Sequence, residues 1–151
     1  MNRKMIKSFS AFAIVISMIV GSVLPVITAF AENYNTVSVG SVEEFLELSK
    51  NCTLDTWSRG KVVSLTGNID FSGKEFTPIP FFNGVFEGNG YTISGVKYTK
   101  AGSNIGLFRY IGSEGTVRNL NVQGKLSPVG TKTVIGGIAG KNSGTIDNCT
   151  Y

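Results

Sequence analysis

The chain has 151 residues, with 14 Lys and Arg, 10 Asp and Glu, no histidine and a hydrophobic fraction of 42%. That length suits one domain of ordinary size, and the absence of histidine excludes Ser-His and Cys-His nucleophiles. The formal charge of +4 is concentrated at the start, because Arg3, Lys4 and Lys7 precede position 32 and no acid does; the remainder carries +1 and offers no electrostatic footprint for nucleic acid or an anionic membrane.

The opening "MNRKMIK" is followed by an uncharged run from Ser8 to Ala31 that closes on Ala29-Phe30-Ala31. A basic n-region, an apolar h-region and a small-x-small site predict a secretory signal peptide over residues 1–31. The run is long enough to span a bilayer, but Pro25 and the Ala-x-Ala site favour cleavage over an uncleaved anchor. No later segment is apolar enough to span a membrane, so the expected product is secreted or wall-associated by the general secretory pathway, with no membrane contact after cleavage.

Residues 32–40 read as a polar leader, extended or loosely ordered. Ser41 and Glu44 then have capping-box spacing, and Val42, Phe45, Leu46 and Ser49 fall at i, i+3, i+4 and i+7. The pattern predicts one short amphipathic helix over 42–50, with Glu43, Glu44, Glu47 and Lys50 facing water. From Gly60 onward, short apolar runs alternate with Gly, Asn and Asp, which favours strands and turns. "KVVSLTGNIDFSG" supplies a first rung through Val63, Leu65 and Ile69.

Three octets, "YTISGVKY", "GTVRNLNV" and "GTIDNCTY", align without a gap from Tyr91, Gly115 and Gly144. Thr92, Thr116 and Thr145 share the second column; Ile93, Val117 and Ile146 the third; Val96, Leu120 and Cys149 the sixth. Apolar residues three apart break the period of two that a straight strand demands. A bend between them, at Gly95, Asn119 and Asn148, repairs it, since Gly and Asn enter left-handed backbone angles most easily. A second matching unit precedes each octet: Gly84-Val85-Phe86, Gly106-Leu107-Phe108 and Gly136-Gly137-Ile138.

Such repeats predict an all-β parallel β-helix, a solenoid of about four coils stacked about 4.8 Å apart. The crossover rule makes it right-handed. The helix would cover the amino-terminal edge, and Gly95, Asn119 and Asn148 would form a corner ladder. Because a solenoid needs a cap at both ends and none is visible near Tyr151, the expectation is that the stack continues beyond that residue as an incomplete fragment of a longer solenoid.

"FNGVFEGNGYTISGV", Phe82 to Val96, resembles the F-x-G-x-F-D-G-x-G-x-x-I signature of bacterial right-handed β-helices of the pectin-lyase-like superfamily. "NIGLFRYI" with "GTVRNLNV", and "VIGGIAGKNSGTIDNC", resemble the GLUG repeats of large surface proteins of Gram-positive bacteria. The resemblance spans Val37 to Tyr151 and speaks to fold rather than activity. Glu87 replaces the usual Asp, and Arg109 stands where the later repeat has Gly140.

Enzymes on this scaffold, the resemblance implies, are polysaccharide lyases and glycoside hydrolases, which need clustered or paired carboxylates. Asp55, Asp70, Glu75, Glu87, Glu114 and Asp147 instead occur singly in turns, and no cofactor or metal set is discernible. Asp147 could pair with Arg118 one rung away. Cys52 and Cys149 read either as buried thiols or as a disulfide, which their spacing does not decide. Trp57, Phe81, Phe82 and Tyr110 are the candidate ligand-facing aromatics, Trp57 also suiting a packing role beside the helix. The expected function is a non-catalytic, adhesin-like or structural surface module presenting a repetitive face to carbohydrate or protein partners. The competing reading is the leading part of a carbohydrate-active enzyme or surface peptidase with its catalytic residues downstream.

Overall fold

The computed structural model describes residues 35–130 and 134–151, so the expected signal peptide lies outside the described residues. In chain order the elements are β1 (Asn35–Val39), α1 (Val42–Asn51), β2 (Lys61–Leu65), β3 (Ile69–Asp70), β4 (Ile79–Phe82), β5 (Val85–Glu87), β6 (Thr92–Tyr98), β7 (Phe108–Ile111), β8 (Thr116–Leu126), β9 (Ala139–Asn142) and β10 (Thr145–Thr150). Every strand pair is parallel, and the strands stack into a β-solenoid of about four turns.

Three strand columns build the stack. The first is β1-β2-β5, continued by the first half of β8 and then β10; the second is β3-β6 and the second half of β8; the third is β4-β7-β9. Strand β8 runs through the corner at Asn119 and so joins the first two columns into one sheet. Because both ladder neighbours of an interior strand are parallel, its buried face reads as apolar on every coil. Val63, Phe86 and Val117 form one inward column at 0% exposure, and Ile69, Ile93 and Val122 form another.

Facing columns meet across the interior through aromatic rings. Phe82, Phe86 and Phe108 form a triad with centroids 5.3–6.0 Å apart, and Phe45, Phe71 and Phe76 form a second beneath α1 at 5.3–6.1 Å. The edge-to-face pairs within them suit the ring quadrupoles.

The helix follows its sequence signal. Ser41 is the N-cap, its Oγ accepting from the Glu44 amide at 3.1 Å, while Glu44 Oε2 accepts from the Gly40 amide at 2.7 Å. The inward stripe is Val42, Phe45, Leu48 and Ser49, so Leu48 takes the place expected of Leu46, which is only partly buried. Ser49 is satisfied in the core by donating to the Pro78 carbonyl at 2.9 Å.

The repeat alignment needs two corrections. The octets of β8 and β10 lie in the expected register, Thr145 over Thr116 and Cys149 over Leu120. Tyr91–Tyr98 does not lie over Gly115–Val122: Ile93 pairs with Val122, and Phe86 occupies the place over Val117. The reason is corner length, since four residues separate Glu87 from Thr92 where two separate Arg118 from Asn121. For the same reason Phe86 and Phe108 sit in different columns and touch across the core, 5.3 Å between centroids. Residues 35–39 of the expected leader are also a strand, β1, because Val37 and Val39 alternate inward and the backbone pairs with β2.

Candidate binding surface

Two corners carry the ladder. Asn119 and Asn148 have φ of 54° and 47°, and Asn148 Nδ2 donates to Asn119 Oδ1 at 2.8 Å. Asn119 Nδ2 in turn donates to Glu87 Oε1 at 2.8 Å, and Asn89, at φ 53°, turns the corresponding corner one coil earlier. Gly95 is absent from this ladder. It lies in a bulge of β6 between Ile93 and Val96, where its φ is +67° and an added Cβ would stand 2.4 Å from the Ser72 amide nitrogen. Glycine is needed there twice over, for the backbone angle and for the close approach of the neighbouring chain.

Glu87 anchors the first corner. It accepts from Arg118 Nε at 2.6 Å, from Asn119 and from the Asn89 amide at 3.2 Å. Burial alone would raise its pKa, but the hydrogen bonds from Asn119, Arg118 and the Asn89 amide, together with the Arg118 charge, hold it below the ordinary value. Arg118 therefore pairs with Glu87 and not with Asp147, although Asp147 is its ladder neighbour. Asp70 is likewise held low, first by the Ser72 amide and then by the Ser72 and Ser94 hydroxyls. Among the described residues no group of three or more His, Cys, Asp or Glu could hold a metal ion.

Both cysteines are free thiols: Cys52 is buried beneath the cap, while Cys149 on β10 is part-buried. Burial pushes the Cys52 thiol up to about 12, so it acts as a core residue rather than a nucleophile. Trp57 is half-buried against the core with Lys61 Nζ 4.7 Å from its ring centroid, so one ring face is already occupied. Phe82 is fully buried. Phe81 and Tyr110 are brought together as ladder neighbours of β4 and β7, and Asn104 Nδ2 holds the Tyr110 hydroxyl at 2.5 Å.

One feature eluded sequence reasoning. Beside β6 and β7 runs a groove of two adjoining hollows, about 180 and 280 Å³, that share Phe76, Tyr98 and Lys100. Pro80 and Arg109 line the first, and Lys74, Glu75 and Lys97 the second. Its four cations come from three separate segments, and only the "KYTK" spacing of Lys97 and Lys100 is visible along the chain.

No family model matches the chain, and no solved structure matches it. It is 39% identical over 92 residues to a Gly-rich membrane protein of Evansella cellulosilytica, covering 57% of this chain and 11% of that protein. It is 36% identical over 110 residues to halomucin of Haloquadratum walsbyi, covering 63% of this chain and 1% of that one. The chain thus spans about a tenth or less of the length of these curated relatives. Among the described residues no helix is long and apolar enough to cross a membrane.

Proposed function

We propose that this protein is an exported cell-surface module of the GLUG-repeat, pectin-lyase-like kind, which works by presenting a rigid, repeating β-solenoid face to carbohydrate or protein partners. Residues 1–31 direct its export. The observation that carries the reading is the stacked parallel ladder itself, which sets the outward positions of each coil in register with those of the next. Its carboxylates support a structural role: Glu43 and Glu75 pair with lysines, Glu87 with Arg118, and Asp70 with Ser72 and Ser94. The names of the two relatives, a Gly-rich membrane protein and a halomucin, accord with a place at the cell boundary. Antibody labelling of intact producing cells tests the proposal. Labelling at the cell surface is the expected result, and protein confined to the cytosolic fraction would overturn it.

A further inference from the structure

We propose that the groove beside β6 and β7 binds an acidic saccharide, a glycan whose rings carry carboxylate or sulfate groups. The proposal rests on the reading of the protein as a partner-presenting module and gives that module a site and a ligand class.

Charge is the first argument. Lys74, Lys97, Lys100 and Arg109 line the groove against the single carboxylate of Glu75, although the chain beyond residue 31 carries only +1. Lys125 adds to the concentration, because it is the ladder neighbour of Lys97 on the next coil. Like charges directly opposite on parallel strands destabilise a sheet, and an anion lying along them removes that cost. The Lys100–Glu75 pair is no obstacle, since its side chains are 66% and 71% exposed and such pairs exchange partners at little cost.

Arg109 is the second argument. Its Nη2 donates to the Ser103 carbonyl at 3.0 Å, its Nε is buried with no hydrogen-bond partner, and among the described residues it makes no ion pair. A part-buried guanidinium without an anion is costly, and an anionic group seated in the first hollow supplies one. The neighbouring coils carry Pro80 and Gly140 at the same ladder position, so Arg109 is not a requirement of the repeat.

Shape favours a glycan over an acidic peptide. Each hollow is smaller than the roughly 300–1,000 Å³ of pockets that enclose drug-sized ligands, and their tandem arrangement fits consecutive rings of a polymer. Pro80 and the Tyr98 ring give flat apolar surfaces between the cations, with the Tyr98 hydroxyl fixed on the Ala101 carbonyl at 3.2 Å. An extended peptide binds a sheet by adding a strand at a free edge. Here β7 is flanked by β4 and β9 and offers none, while β6 is paired with β8 up to Tyr98 but with β3 only at Ile93 and Ser94, so an acidic peptide is the competing occupant that the test must separate.

Calorimetric titration of the full chain at low ionic strength provides the test, using hyaluronan and chondroitin sulfate hexasaccharides, neutral chitohexaose and hexaglutamate. At least one acidic hexasaccharide should bind more tightly than both chitohexaose and hexaglutamate. Arg109→Gln and Lys100→Gln should each weaken that binding about tenfold or more, as expected for loss of a charged hydrogen bond. Arg59→Gln, an exposed change outside both linings, should leave it within about twofold. Lys100 is exposed, so its variant keeps the test valid even if Arg109→Gln fails to fold. Equal binding of chitohexaose, or an equal loss in Arg59→Gln, overturns the proposal. Hexaglutamate binding as tightly as the sugars overturns it in favour of a peptide partner. If no probe binds while intact cells are labelled, the groove proposal fails and the surface-module reading stands.

Discussion

Asn119 holds two requirements in one side chain. Its φ of 54° is a left-handed angle, and its amide joins Glu87 on one coil to Asn148 on the next. Asn119→Gly keeps the backbone angle free and loses only the side-chain bonds, about 1 kcal/mol. Asn119→Ala adds about 1–2 kcal/mol for a left-handed alanine, so denaturant melts should rank alanine below glycine, and the reverse order would show that the corner is not strained. Glu87 contributes through its charge. A carboxylate held below its ordinary pKa stabilises the fold fully above the unfolded value of roughly 4.3, and that contribution disappears as pH falls through the lowered folded value. Glu87→Gln should therefore be less stable than the parent at neutral pH, with the gap closing on acidification below roughly pH 4. A gap independent of pH would assign the effect to packing instead.

Helix α1 and strands β8 and β10 were legible because their signals are local. The Ser41–Glu44 capping pattern names the start of the helix, and the β8 and β10 octets, 29 residues apart, turn their corners with the same number of residues. Strand β6 was misplaced because "SGV" imitates "RNL", Gly95 standing in a bulge with the same backbone angle that Asn119 uses at a corner. Periodicity cannot separate two columns that obey one inward rule, and a one-column error moves every pairing with it. The groove was hidden for another reason, since Lys74, Lys97, Lys100 and Arg109 meet only when the coil closes. At the cap, Ser41→Ala removes the acceptor for the Glu44 amide and should cost about 1 kcal/mol. Loss of helical circular dichroism should then precede loss of the β signal on heating, and simultaneous loss would mean that cap and stack form one cooperative unit.

At the scale of the whole solenoid, stability is a sum over coils and the interfaces between neighbouring coils. The same column position therefore carries different weight at different places in the stack. Val117 on β8 is flanked by Phe86 on β5 and Ile146 on β10 and is 0% exposed, whereas Ile146 is 37% exposed and β10 pairs with β8 alone among the described strands. Removing the Val117 methyls with Val117→Ala loses inward packing against both neighbours and should cost about 2 kcal/mol. Ile146→Ala removes a larger side chain, yet its burial is one-sided and the expected cost is under about 1 kcal/mol. Hydrogen exchange offers the companion measurement: amides of β2 and β5 should require global unfolding to exchange, while those of β10 should open locally at lower free energy. Were Ile146→Ala the costlier change, or β10 as protected as β5, the coils would not be additive. The repeating face proposed as the binding surface would then answer to substitutions anywhere in the stack, and no single coil could be altered without changing the others.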